Sequence, residues 1–244
     1  MRSRHQVCLS RVGPQMPNPT GSGARRPRPL SFVVLACLTW SIGVVDAFAF
    51  DTFGVFTTNQ AGNLVVFAKA PWDNWPQARL AGLSLLGAAL GMIVGTVLSR
   101  RLLARGPRWS LTVPIVVGGG MLLLAAGLTT DGRRPEWLVP VMAAATGCMA
   151  GGWMVAGRTR MWLTANTGAF LAAVHAITFP DERSAEGTRR WLVLPASLAA
   201  VSATLGFVAG VATYGVGAAD WPHPVIVGLV PMMLAVILLA RDRD

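Results

Sequence analysis

Charged and reactive side chains are scarce in this chain. Of its 244 residues only 13% are Asp, Glu, Lys or Arg, and there are three His, three Cys and one Tyr. Soluble domains carry about a quarter of their residues as charges. So little charge, beside 53% hydrophobic residues and a mean hydropathy of +0.51, excludes a soluble globule and makes lipid the solvent. Cys8, Cys37 and Cys148 are scattered, which excludes a disulfide framework and a metal-ligand spacing. Cys37 and Cys148, inside apolar runs, read as small buried hydrophobes. The chain contains no H-E-x-x-H zinc motif, no G-x-S-x-G nucleophile turn and no G-x-G-D carboxylate dyad. Gly118-Gly119-Gly120 is followed by no Lys-Ser/Thr pair and is no phosphate loop. The expectation is a protein that is not an enzyme, with no catalytic residue, no metal and no cofactor.

What is abundant is uncharged apolar sequence. Leu80 to Leu98, Leu111 to Thr130, Trp137 to Gly157, Trp191 to Ala219 and Pro224 to Ala240 contain no Lys, Arg, Asp or Glu. Each can cross a hydrocarbon core of roughly 30 Å, which takes about 20 helical residues. A further apolar segment covers residues 31–53 and holds Asp46 and Asp51.

The formal charge of +10 does not point to nucleic acid, because the arginines sit in the N-terminal tail and in short loops between apolar runs. With six crossings that start inside, the tail, the loop with Arg100, Arg101, Arg105 and Arg108, the group Arg183, Arg189 and Arg190, and the end with Arg241 and Arg243 all fall inside. That is fifteen basic residues against four outside, Lys69, Arg79, Arg133 and Arg134. An eight-crossing arrangement puts the four-arginine loop outside, so positive-inside bias favours six. Residues 1–29, rich in Arg, Pro, Gly and Ser, read as a disordered basic cytoplasmic tail able to touch anionic headgroups. Arg25-Arg26, the apolar stretch from Leu30 and Ala47-Phe48-Ala49 imitate a signal peptide. Later segments insert without one, so cleavage is not expected.

Sliding the chain along itself brings Gly54 to Ala70 over Arg160 to Ala176, with Thr58 on Thr164, Gly62 on Gly168 and Gln60 facing Asn166. Ala89 to Gly95 lies over Thr204 to Gly210 with Leu, Gly and Gly in register. The reading is an all-α integral membrane protein of about six transmembrane helices plus two re-entrant or half-spanning segments, residues 55–70 and 161–178. These form two inverted repeats, residues 30–130 and 135–240. Both short segments open on polar residues, Thr57-Thr58-Asn59-Gln60-Ala61-Gly62-Asn63 and Thr164-Ala165-Asn166-Thr167-Gly168. Backbone that leaves helical bonding at that depth must be buried in protein or wetted.

A central polar site is therefore expected from Asp46, Asn59, Gly62, Asn63, Thr164, Asn166, Thr167 and Gly168. Facing half-helix ends there can present N–H groups and carbonyls to a small solute, or the same Thr and Asn can merely cap the breaks. Asp46 falls about sixteen residues into its segment, roughly 24 Å at 1.5 Å per residue, past the midplane. Intramembrane charge is costly unless paired or hydrated. Three readings stand for Asp46, Asp51, Arg158 and Arg160: an ion pair joining the halves, a proton- or cation-linked carboxylate, and snorkelling to an interface. Gly87, Gly91, Gly95, Gly206 and Gly210 read as seams for close helix crossing.

Gly43-Val44-Val45-Asp46-Ala47, Gly54-Val55-Phe56, Ala61-Gly62-Asn63-Leu64 and Thr167-Gly168 together resemble the YoaK-like family of bacterial membrane proteins, domain of unknown function 1275. The family's pattern is Gly-x-x-Asp, Gly-x-Phe and Thr-Gly-Asn, with a second Thr-Gly later. Ala61 stands where the first Thr is usual. The resemblance, over residues 31–240, implies a plasma-membrane protein of about six helices and supplies no substrate.

The expected function is a small-solute transporter or channel, with a non-transporting membrane scaffold or accessory subunit as the alternative. Its expected place is the bacterial plasma (inner) membrane, multi-pass, with both termini cytoplasmic. Its expected partners are the lipid bilayer and an unidentified small solute, with homo-oligomers open and nucleic acid excluded.

Overall fold

A computed structural model describes residues 29–129, 134–156, 190–218 and 224–241. These form seven α-helices: α1 (Pro29–Phe53), α2 (Gln60–Asp73), α3 (Trp75–Leu103), α4 (Pro107–Gly127), α5 (Leu138–Ala156), α6 (Arg190–Thr213) and α7 (Pro224–Arg241). One π-helical turn, Tyr214–Ala218, prolongs α6. All of these except α2 contain a stretch long and apolar enough to cross a membrane, which makes six crossings. The segments expected as crossings are the ones found. The second extends further than its uncharged run, because Asn74 caps it by accepting from the Gln77 N–H at 3.4 Å and Arg79 finds Glu136 as an exposed partner.

Burial is distributed as lipid solvation demands. Leu86, Leu90, Ile93, Val94 and Val97 on α3 lie exposed, while Thr39, Ser41, Asp46, Thr57, Asn63, Ser84, Ser99, Ser110 and Thr146 are buried inside. In water such an arrangement would forfeit the hydrophobic term; in hydrocarbon it keeps polar groups where partners exist. Trp75, Trp109 and Trp137 are exposed near helix ends, where amphipathic rings suit headgroups.

The first helix of the chain does not pack mainly on its sequence neighbours. α1 lies along α6 and α7, whereas α5 lies along α3 and α4. Two three-helix bundles result, α3/α4/α5, packed in every pair, and α1/α6/α7, in which α6 and α7 both pack on α1 and little on each other. They meet where α4 touches α7 and, slightly, where α1 passes α5.

Within each bundle the helices approach to backbone contact at small residues. A Cβ on Gly91 or Gly95 would strike the carbonyl of Ala144 or Cys148, and one on Gly206 or Gly210 the carbonyl of Ala36 or Trp40. Gly151 faces Met92 and Thr96 across the α3/α5 seam; Gly43 faces Phe207 and Val211 across the α1/α6 seam. The glycines expected as seams are seams, since association in lipid rests on close van der Waals contact. Gly118-Gly119-Gly120 continues α4 as helix, and Cys37 and Cys148 are buried and free.

Candidate functional site

α1 stops because Gly54 takes φ +68°, a left-handed conformation that a side chain would disfavour. Its N–H still donates to the Phe50 carbonyl at 2.9 Å, closing the last turn. The chain then doubles back beside α1, and residues 55–59 return toward the bilayer interior. Asp46 precedes the end of α1 by seven residues, about 10 Å of helix, so the turn that reaches it re-enters by that depth. Asn59 caps the new helix: its Oδ1 accepts from the Gly62 N–H at 3.2 Å and its carbonyl from the Asn63 N–H at 3.1 Å. α2, at 14 residues, is about 21 Å long and half-spanning. The first of the two expected re-entrant segments is thus a turn followed by a half-helix.

Asp46, 2% exposed, is the centre of this turn. Its Oδ1 accepts from the Thr57 N–H at 2.7 Å, the Thr57 hydroxyl at 2.7 Å and the Thr58 N–H at 2.9 Å. Its Oδ2 accepts from the Thr58 hydroxyl. Two amides cannot reverse their role, so Oδ1 is purely an acceptor. Oδ2 faces only a hydroxyl among its bonded partners, and a hydroxyl can donate or accept. A proton on Asp46 therefore belongs on Oδ2, with Thr58 turning to receive it. The carboxylate also sits beside the electropositive N-terminal end of α2, a second favourable term for its charge.

The remaining polar backbone of the turn is answered by side chains from three helices. Asn63 imitates a backbone partner: its Oδ1 accepts from the Phe56 N–H at 2.8 Å and its Nδ2 donates to the Phe56 carbonyl at 2.6 Å. Asn63 Nδ2 also reaches Ser84 Oγ at 2.9 Å, and Ser84 Oγ donates to the Phe56 carbonyl at 2.6 Å. The Thr57 carbonyl accepts from Gln60 Nε2 at 2.7 Å and from Thr146 Oγ1 of α5 at 3.2 Å. Gln77 Nε2 donates to the Gly54 carbonyl at 2.9 Å. Val55 is buried among Leu80, Ala81 and Val139. The turn consequently belongs to the α3/α4/α5 bundle, and Asp46 reaches it from the other one.

Of the residues singled out in the sequence, Asp46, Asn59, Gly62 and Asn63 converge on this one turn. Thr164, Asn166, Thr167 and Gly168, with Arg158, Arg160 and the rest of residues 161–178, lie outside the described residues, as does residues 1–28 of the basic tail. Asp51 is exposed and accepts from the Tyr214 hydroxyl at 2.7 Å on its own. Ala61 is exposed on the first turn of α2 and contributes nothing to the Asp46 cluster. Thr57, Thr58 and Gln60, read in the sequence as part of the polar opening of this segment but not placed in the expected site, complete it together with Ser84, Gln77 and Thr146, which were not singled out. A signal existed for Ser84 and Thr146: each is a lone hydroxyl in an apolar helical run, Leu83-Ser84-Leu85 and Ala145-Thr146-Gly147. Among the described residues no three His, Cys, Asp or Glu come together as a metal site.

No curated protein and no solved structure matches the chain. The family model described as a protein of unknown function, DUF1275, matches residues 34–240. That span takes in all six crossings but for their outermost residues, and the whole Asp46 turn, so this polytopic membrane protein belongs to the DUF1275 family.

Proposed function

We propose that this protein is a small-solute transporter or channel and not an enzyme, with the re-entrant turn around Asp46 at its centre. One observation carries the reading: a half-helix begins deep in the bilayer, at a buried carboxylate held by hydroxyls and amides. Discontinuous helices and inverted repeats are the usual construction of solute sites near the midplane. The repeat is supported by matched packing. Gly91 and Gly95 meet Ala144 and Cys148, as Gly206 and Gly210 meet Ala36 and Trp40. Gly151 meets Met92 and Thr96, as Gly43 meets Phe207 and Val211. An internal proline occurs in α4 at Pro114 and again in α7 at Pro231. In this reading Asp46 is the ionisable participant, both termini are cytoplasmic in a plasma membrane, and Thr164 to Gly168 supply the opposing break.

A solute screen by thermal stabilisation of purified protein, followed by liposome flux on each hit, tests the reading. Absence of any stabilising solute and of flux, with a stable co-purifying partner, would sink it. Topology has its own test: a cysteine at Gly217 is expected to label from outside and one at Gly106 only from inside. The second reading, a non-transporting scaffold, is favoured by the completeness with which Asn63, Ser84, Gln60 and Thr146 answer the turn. It expects Asp46→Asn to disturb stability or assembly alone, with no change in pH dependence of any flux.

A further inference from the structure

We propose that the seam between the two three-helix bundles is the moving joint of the molecule, and that Arg134, with Phe48 and Thr52, is its latch on the side where α1 ends. The proposal rests on the transporter reading and names the device that would gate its site.

The closest crossings inside each bundle differ from the contact between the bundles. At the α3/α5 and α1/α6 crossings glycines meet carbonyls of the neighbouring helix, so sliding there would drive backbone into backbone. Between them, α4 meets α7 with Gly119 against the Met232 thioether end, a side chain with three rotatable bonds that can yield. Rigid bundles joined by a yielding contact are what shear or hinge motion needs.

Among the described residues, polar bonds that cross the seam lie toward the end of α1. Deep in the bilayer, Asp46 of one bundle holds Thr57 and Thr58, which are anchored on the other. Nearer the surface, Arg134, four residues before α5, donates from Nη1 to Thr52 Oγ1 at 3.1 Å, and its guanidinium carbon lies 5.4 Å from the Phe48 ring centroid. Phe48 and Thr52 are one helical turn apart on α1. Phe48 also packs edge-on to Tyr214 at 6.5 Å, and Tyr214 holds Asp51. Thus Tyr214 ties the end of α1 to its own bundle, and Arg134 ties it to the other. At the opposite end of α3 the hydroxyls of Ser99 and Ser110 bond each other and Ser99 reaches the Gly152 carbonyl, all within the α3/α4/α5 bundle. Arg134 is exposed, so its bond is weak enough to break and reform.

The test is cysteine accessibility in purified, detergent-solubilised protein with Cys8→Ala, Cys37→Ala and Cys148→Ala. The reporter is Ala49→Cys, fully buried and on the α1 face that carries Asp46 three residues before and Phe53 four residues after. Phe53 packs against both apolar cores, so this face looks into the seam. The control is Ala88→Cys, inside the α3/α5 interface. Adding Arg134→Ala is expected to raise maleimide labelling of the reporter about tenfold, the scale of losing one charged hydrogen bond and its ring contact, and to leave the control unchanged. Thr52→Val is expected to act in the same direction by a smaller factor, and provides the second variant should Arg134→Ala fail to fold. Unchanged reporter labelling in both variants overturns the proposal; equal acceleration of reporter and control means general loosening and overturns it too. Labelling needs no solute, so a protein that labels as expected but carries no flux refutes transport and leaves the joint standing.

Discussion

Thr57 binds one oxygen of Asp46 twice, through its amide and through its hydroxyl, each at 2.7 Å. A residue eleven positions away along the chain thereby fixes both the direction of the backbone and the rotamer of its side chain on a single buried acceptor. The chain's re-entry into the bilayer is anchored at that oxygen.

Replacing Asp46 by Asn keeps the volume but puts an N–H₂ group where one carboxylate oxygen accepted. The Thr58 hydroxyl can turn to accept from that group, but its own hydrogen then loses the buried acceptor, and the charge that strengthened the Thr57 and Thr58 bonds is gone. Asp46→Asn is expected to lower unfolding stability by about 3 kcal/mol, the scale of a buried, charge-assisted network losing an acceptor. Thermal or denaturant unfolding of the purified protein checks it, and a loss under about 0.5 kcal/mol contradicts the arrangement, being within the range of an ordinary surface change.

The two threonines should be separable from the carboxylate. Thr57→Val and Thr58→Val each delete one hydroxyl donor and spare the amides, so each is expected to cost about 1 kcal/mol. Combined with Asp46→Ala, which removes both acceptor oxygens, each should add much less than its single effect. A double-mutant cycle reads this coupling directly, and simple additivity would mean that the hydroxyls are not bonded to Asp46.

Asn63 has a stricter requirement than Asp46, because it must accept from the Phe56 N–H and donate to the Phe56 carbonyl at once. Asn63→Asp retains the acceptor and sets an anion beside a carbonyl oxygen. Its expected cost is about 3 kcal/mol or more, larger than that of Ser84→Ala at about 1 kcal/mol. Ranking the two by melting temperature provides the measurement; the reverse order would show that the turn hangs on Ser84.

Two glycines on neighbouring helices should respond oppositely to alanine. At Gly91 the added methyl meets the Ala144 backbone, which cannot move without separating α3 from α5. At Gly120 of α4 it meets nothing within 4 Å. Gly91→Ala is expected to destabilise by about 1–3 kcal/mol through overpacking, and Gly120→Ala to be neutral or stabilising by up to about 1 kcal/mol through helix propensity. Similar melting temperatures for the two variants would refute the close crossing.

Much of the architecture was legible because a bilayer imposes a length. Uncharged runs and arginine placement pointed to six crossings without any contact information. Asp46 was also legible as a residue in need of an explanation, since charge at that depth is costly. What answers it was not. An ion pair with Arg158 or Arg160, both outside the described residues, was one of three readings left open, whereas the partners found for Asp46 are the hydroxyls and amides of Thr57 and Thr58. Finding them requires knowing that Gly54 turns left-handed and sends the chain back along α1, and a lone glycine after a helix is compatible with many exits. Ser84 and Thr146 were hidden for a related reason: a hydroxyl in an apolar helix can always satisfy itself on its own helix, as Thr146 also does with the Met142 carbonyl at 3.1 Å. The side-by-side placement of α1 with α6, more than a hundred residues on, leaves no trace in local pattern at all.

That placement has a consequence for biogenesis. As the chain leaves the translocon, α1 is made first, yet the surfaces that cover its Gly43 face are made last, in α6 and α7. The early fragment can seal Asp46 as soon as Thr57 and Thr58 emerge, but it must wait, laterally exposed to lipid, for most of the remaining synthesis. Neither half can then mature alone. Two fragments divided near residue 132, between α4 and α5, should be individually unstable and should rescue one another when co-expressed, each lending its first helix to the other.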